Sequence, residues 1–275
     1  MAMKRLAWLT DVHLNFLDGP GRRKFAESVA ARSPDAVLIS GDVSESPDVV
    51  AHLEEMAAIL KQPIYFVLGN HDYYKGSIHQ TRLEVARMVD RSEYLVYLNT
   101  AGVVELTPTA ALVGHDGWGD ARLGDYHGSD VLLNDFFLID ELRRYCEPPM
   151  IVDRPRLEQA LQALGDEAAD HFRHVLSEAF QTHRRVVAVT HVPPFREAAW
   201  HQGKYSDDDW LPFFACKAVG DCLLDIMRSH PDRELLVLCG HTHGAGQAQL
   251  LDNLKILTGA AEYSAPAVQQ VFEFE

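Results

Sequence analysis

The sequence predicts a layered α/β domain, and three observations predict it. Short apolar runs alternate along the chain with segments of helical periodicity. Those runs are too unbroken for strands with one solvated face, so they read as strands covered on both sides. At 275 residues, 47% of them hydrophobic, the chain can bury one sizeable core.

Residues 6–10, 36–40 and 64–68 are the first three buried strands. Between them, 22–32 and 48–61 carry helical patterns, with Pro47 suited to a first turn. A helix over 78–90 leads into strands near 94–98, 103–106 and 110–113. Two further buried strands fall at 186–190 and 235–239. The end is β-rich, at 247–251, 255–258 and 268–274, with Asp252-Asn253 as turn chemistry for a hairpin. The middle differs. A Gly/Asp-rich loop at 117–129 precedes two helical stretches separated by Pro148-Pro149. In the second, Leu157, Leu161, Leu164, Ala168, Phe172, Val175 and Ala179 recur at three- or four-residue steps, so one face packs. No repeat or linker divides the chain. It reads as a single domain over 1–275, with 116–183 a loop plus helical insertion.

The formal charge of −15 repels a phosphate backbone and an anionic membrane. Nucleic acid is therefore disfavoured as a partner and a small phosphorylated substrate favoured, with oligomeric state left open. No apolar run approaches the roughly 18 residues of a membrane span, and the apolar stretch near the start is too short for a secretory signal. Cys146, Cys216, Cys222 and Cys239 form no CxxC pair and read as reduced thiols, which points to the cytoplasm.

The chemistry sits immediately after the buried strands. Asp11-Val12-His13 follows the first, Gly41-Asp42 the second and Gly69-Asn70-His71-Asp72 the third. His191 and Gly240-His241-Thr242-His243 follow the last two. In α/β sheets, ligands gather outside the carboxyl ends of strands, so these five ends are expected to converge. Single fragments carry little weight. A second Asp-x-His stands at Asp125-Tyr126-His127, and Gly-Asp recurs at Gly119, Gly124, Gly165 and Gly220, none directly after a clear buried strand. The ordered set carries the signal. Imidazole and carboxylate without cysteine suit Mn, Fe, Co or Zn rather than a thiolate zinc site.

With the blocks D-x-H, G-D, G-N-H-D, H and G-H-x-H in this order across 11–243, the chain resembles the calcineurin-like metallophosphoesterases. The resemblance implies a four-layer αββα sandwich. It also implies two divalent or trivalent transition-metal ions, Mn, Fe or Zn. Asp11, His13 and His243 would hold one ion and Asn70, His191 and His241 the other, with Asp42 bridging. His71 would protonate the leaving oxygen or stabilise transition-state charge, with Asp72 orienting it. Metal-activated hydroxide would attack phosphorus in line, on a monoester or a diester. Alternatives are a cyclic-nucleotide phosphodiesterase, a nuclease of the same family, or a scaffold that has lost catalysis.

Trp118, Arg122 and His127 in the Gly-rich loop, and Arg196 after His191, are candidate substrate contacts. Packing and surface charge are their competing roles. Among the other histidines, His52, His79, His171, His174, His183 and His230 read as ordinary helix-borne polar groups, while His115 and His201 lie near enough to the motifs to stay open.

Overall fold

The computed structural model describes residues 4–147 and 151–275. The chain begins β1 (Lys4–Leu9), α1 (Gly19–Ala30), β2 (Ala36–Ser40), α2 (Val49–Leu60), β3 (Ile64–Val67), α3 (Ile78–Val89) and β4 (Leu95–Tyr97). It continues through α4 (Leu98–Ala101), β5 (Val104–Thr107) and β6 (Ala110–His115). The middle holds α5 (Asp135–Leu138), α6 (Asp140–Arg143), a small hairpin of β7 (Cys146–Glu147) and β8 (Ile151–Val152), and α7 (Arg154–Thr182). After β9 (Arg185–Thr190) come a second small hairpin, β10 (Trp200–His201) and β11 (Lys204–Tyr205), then α8 (Leu211–Phe214) and α9 (Lys217–Ser229). The chain closes with β12 (Glu234–Cys239), β13 (Gly246–Leu251), β14 (Leu254–Thr258) and β15 (Gln270–Phe274).

One sheet has the order β15-β1-β2-β3-β4, parallel except for β15 at its edge. The other has the order β13-β14-β12-β9-β6-β5, with a parallel centre and antiparallel β13 and β5 outside it. Side chains alternate across each strand, and both faces are covered. Ala36 and Leu38 of β2 meet Val187 and Val189 of β9 and Leu238 of β12 between the sheets. Val37 and Ile39 face outward into a core shared with Phe25 of α1, Leu53 of α2 and Val85 of α3. On the far side, Val186, Ala188 and Val237 pack against Phe172 and Leu176 of α7 and Val219 and Leu223 of α9. The order helix, sheet, sheet, helix is the four-layer sandwich, and it explains why the strands are apolar without a gap.

Three elements differ from the sequence reading. Helix α1 starts at Gly19 rather than 22, because Asp18 caps it by accepting the Gly21 N–H at 2.8 Å and Pro20 occupies the first turn. The glycines around Pro20 hide that start from any periodicity. Pro47 lies outside α2, whose N-cap is Asp48. The first predicted helical stretch of the middle is two single turns, α5 and α6. The Pro148-Pro149 break, like the first three residues, lies outside the described residues.

Helix α7 is not an appendage. It is the crossover between the parallel neighbours β6 and β9, and it helps form the outer layer of the second sheet. Its first turns add Leu157 and Leu161 to the first core, and later turns add Phe172 and Phe180 to the second. The segment outside the sandwich thus narrows to the loop and short helices before Arg154. Among the described residues, no helix is long and apolar enough to cross a membrane.

Candidate metal centre

Strands β1, β2 and β3 are parallel neighbours, as are β9 and β12, so their carboxyl ends share one edge. Backbone bonds join the loops that leave them. Asp11 N–H donates to Gly41 O at 3.0 Å, His13 N–H to Asp42 O at 3.0 Å, and Gly240 N–H to His191 O at 2.9 Å. Asp11, His13, Asp42, His241 and His243 all have left-handed backbone, with φ of 46°, 41°, 52°, 69° and 56°. That region is sparse for residues other than glycine, though Asp and His enter it more readily than most. Each such conformation costs on the order of 1 kcal/mol or more and persists only where its surroundings enforce it. Here it turns five side chains into one hollow. Gly69 leaves room for them, since a Cβ there would fall on the Asp42 carboxylate and the His191 ring.

The donor atoms fall into two overlapping sets. Asp11, His13, Asp42 and His243 each offer one atom, all within 4.8 Å of one another. In this set His13 Nε2 lies 3.3 Å from His243 Nε2, and His243 Nε2 lies 3.4 Å from Asp11 Oδ1. In the second set, Asn70 Oδ1 lies 3.1 Å from His191 Nε2 and 3.0 Å from His241 Nδ1. Asp42 Oδ2 belongs to both, 3.7 Å from His13 Nε2 and 3.4 Å from His191 Nε2. Its other oxygen is occupied, accepting the His71 N–H at 2.9 Å.

Outer hydrogen bonds aim these atoms. His191 Nδ1 donates to Ser40 O at 2.9 Å, and His241 Nε2 donates to Phe213 O at 3.2 Å, which leaves the opposite nitrogen of each ring facing the hollow. Asn70 Nδ2 donates to Asp135 Oδ1 at 2.9 Å and to Tyr74 Oη at 3.3 Å, so the amide oxygen points inward. Oxygen and imidazole nitrogen atoms are thereby crowded together, with the proton on His191 Nε2 shared toward Asp42 and Asn70, and His13 Nδ1 is buried without a partner. Crowded acceptors of this kind, all oxygen and imidazole nitrogen, fit a pair of transition-metal cations.

The electrostatics agree. Burial, then repulsion from His191, lowers the His241 pKa to about 3; burial also lowers that of His13, to about 4. Both rings are therefore neutral at ordinary pH, the form in which an imidazole can hold a metal. At His191 burial opposes the charged form, but the Asp42 carboxylate outweighs it and raises the pKa to about 10. A cation bound there would have to displace that proton, which would link loading to pH. Burial works against the Asp42 charge, yet His191 holds its pKa well below the usual carboxylate range.

His71 is half-buried at the rim, its ring stacked 4.2 Å from Tyr74 and edge-on to His13 at 4.7 Å. Asp72 does not orient it, which corrects that expectation. The Asp72 carboxylate is fully buried and accepts N–H groups from Val43 at 3.1 Å, Ser44 at 2.7 Å and Gly69 at 2.8 Å. It locks the loop after β2 to the loop after β3.

The four candidate substrate contacts lie outside the hollow. Trp118 is buried in the first core, 5.8 Å from Tyr73. Arg122 is held by Asp120 at 2.9 Å and Asp166 at 2.8 Å. His127 is mostly exposed, 3.5 Å from Glu158, and Arg196 pairs with Asp208 at 2.7 Å. Each has a local partner that holds it elsewhere. His115 also stays out, buried beside Glu167 and His171.

A cavity of about 420 Å³ opens over the cluster, lined by Asp42, Asn70, His71, Tyr74, Leu132, Leu133, Asn134, Asp135, His201, Trp210, Phe214, His241, Thr242, His243 and Tyr263. Sequence reasoning missed Asp135 and Tyr263. Asp135 comes from the short helix α5, and Tyr263 from the turn between β14 and β15. Neither has a local pattern that distinguishes it.

The sequence profile of the calcineurin-like phosphoesterases matches residues 4–245. No curated protein matches the chain. Among solved structures, a phosphopantetheinyl hydrolase from Mycobacterium tuberculosis superposes with a TM-score of 0.64 at 15% identity, over 96% of this chain and 91% of the other. A dimetal phosphatase from Danio rerio gives 0.58 at 16% identity, over 96% and 89%. At such identities the superpositions speak to the fold alone. The profile match spans most of the chain and every strand-end motif, and the chain therefore belongs to the calcineurin-like phosphoesterase family of hydrolases.

Proposed function

We propose that this hydrolase uses two metal ions to cleave a small, soluble phosphoester, monoester or diester. The observation that carries the reading is the position of Asp42 Oδ2, within 3.7 Å of His13 and 3.4 Å of His191, where one carboxylate faces both ligand sets. Asp11, His13 and His243 would hold one ion and Asn70, His191 and His241 the other. Bound ions of this kind supply charge neutralisation for a phosphoryl group and activation of water.

The chain's own residues do the rest. Two carboxylates, Asp11 and Asp42, set the charge of the centre and leave it net positive with two dications, so it attracts an anion despite the acidic protein around it. His71 stands at the rim, beside the hollow, where a leaving oxygen must pass. Its imidazole protonates that oxygen or stabilises the charge developing on it. Asp72 keeps the two loops in register and so holds the His71 backbone on Asp42. The named solved relatives, a phosphopantetheinyl hydrolase and a dimetal phosphatase, are in keeping with this chemistry. The four unpaired thiols, three of them buried, support a cytoplasmic setting.

The test is metal analysis together with a panel of p-nitrophenyl phosphate, bis(p-nitrophenyl) phosphate and cyclic nucleotides, run with Mn, Zn and Fe. Two ions per chain and metal-dependent turnover of one ester class are expected. A fully loaded protein inert on the whole panel would favour the scaffold alternative.

A further inference from the structure

The wall of the cavity differs in chemistry from its floor. Above the imidazoles and carboxylates its large apolar side chains are Tyr74, Leu132, Leu133, Trp210, Phe214 and Tyr263, interrupted by Asn134, His201 and Thr242. Trp210 remains 42% exposed and Tyr263 46% exposed, among few large apolar side chains so open to solvent. Exposed aromatic side chains on two sides of one cavity mark a place where something binds.

These rings are held in position. Trp210 packs on Phe214 at 5.2 Å, and Phe214 sets its edge on His241 at 5.0 Å. On the opposite ligand set, Tyr263 leans on His13 at 4.8 Å and on His243 at 5.1 Å. Exposed Phe16 backs Tyr263 at 4.9 Å. The aromatic surface thus begins at the candidate ligands on both sides. It extends outward past Trp210 and Phe214, which also line an adjoining cavity of about 290 Å³.

Resting on the phosphoesterase reading, we infer that this rim is a subsite for the organic part of the ester and takes a flat aromatic group. Ring faces this close to the phosphoryl position bind a planar group by stacking, at small entropic cost because the rings are already packed. The preferred substrates are therefore aryl or heteroaromatic phosphoesters.

The experiment compares phenyl phosphate with glycerol phosphate on the Mn-loaded full-length protein and its Trp210→Ala and Tyr263→Ala variants. Wild type should favour phenyl phosphate in kcat/KM. Each variant should lose about tenfold more on phenyl phosphate than on glycerol phosphate, mainly through KM, with metal content per chain retained. Calorimetry supplies a readout without turnover: phenylphosphonate should bind wild type about tenfold tighter than methylphosphonate, and the gap should close in both variants. Trp210→Leu, which keeps apolar area but removes the flat ring, should behave like Trp210→Ala. Equal losses on both esters, or no aryl preference in a wild type that turns over both, would overturn the subsite. A loaded wild type that hydrolyses neither ester and binds neither phosphonate would instead defeat the phosphoesterase reading beneath it.

Discussion

Asp42 is the residue on which the centre turns. One oxygen fixes the His71 backbone and the other faces both candidate ligand sets, so in the proposed centre the side chain would be strut and bridge together. Asp42→Asn keeps the shape but replaces one acceptor oxygen with an N–H donor and removes a charge. It should lose most bound metal and most activity, measured by elemental analysis and turnover; full retention of both would remove the bridging assignment. His71 tests the opposite property, because its ring lies beside the ligands without joining their contacts. His71→Ala should retain both ions and slow turnover by roughly 10²–10⁴-fold, the range of a general acid–base group. Loss of metal in that variant would make His71 a ligand.

At the scale of elements, the parts of this protein that carry chemistry were the legible ones. Strands covered on both faces have to be apolar throughout, so β1, β2, β3, β9 and β12 announce themselves, and so do the polar residues that end them. The ligand motifs are also local, short loops at strand ends, and in three of them left-handed Asp or His residues set the backbone geometry: Asp11 and His13, Asp42, and His241 and His243. Part of the rim was not legible. Asp135 and Tyr263 reach the cavity from two separated segments, and only tertiary packing brings them there. Charged residues such as Arg122 and Arg196 attract attention in a sequence, yet each already has a carboxylate partner that holds it away. The local logic makes Gly69 a sharp test. Gly69→Ala places a methyl group on the Asp42 carboxylate and His191 ring, with backbone on one side and no room to yield. Metal content should fall far more than thermal stability. A variant that unfolds but binds metal normally whenever folded would show that the glycine serves the backbone alone.

Across the whole molecule, the two sheets are tied near the site by a buried polar knot centred on Asp116, which follows β6 and is fully buried. Its Oδ1 accepts the Leu68 N–H at 2.8 Å, while Oδ2 accepts Tyr73 and Tyr97 hydroxyls at 2.6 Å each and Arg82 Nε at 3.0 Å. Its carbonyl accepts the His191 N–H at 2.9 Å, so the knot reaches a candidate ligand from behind. Burial and the nearby Asp116 charge push both tyrosine hydroxyls well above their ordinary pKa, which keeps them protonated as donors. Asp116→Ala would leave a largely buried guanidinium with Glu167, at 2.7 Å and half-exposed, as its one carboxylate partner beside the Tyr73 hydroxyl at 3.2 Å, and would take the acceptor from two tyrosine hydroxyls and an amide. Breaking a buried charged network from one side typically costs about 3–5 kcal/mol. Denaturant unfolding should therefore show a loss of that order for Asp116→Ala, against less than about 1 kcal/mol for Glu167→Gln at the exposed end. Comparable losses for the two would mean that the sheets are held by their apolar interlayer alone and that the knot merely fills space. If the expected gap is found, metal affinity in Asp116→Ala decides whether the knot also holds His191 in place. A fall beyond what the lost stability explains would couple the fold's main polar tie to its chemistry.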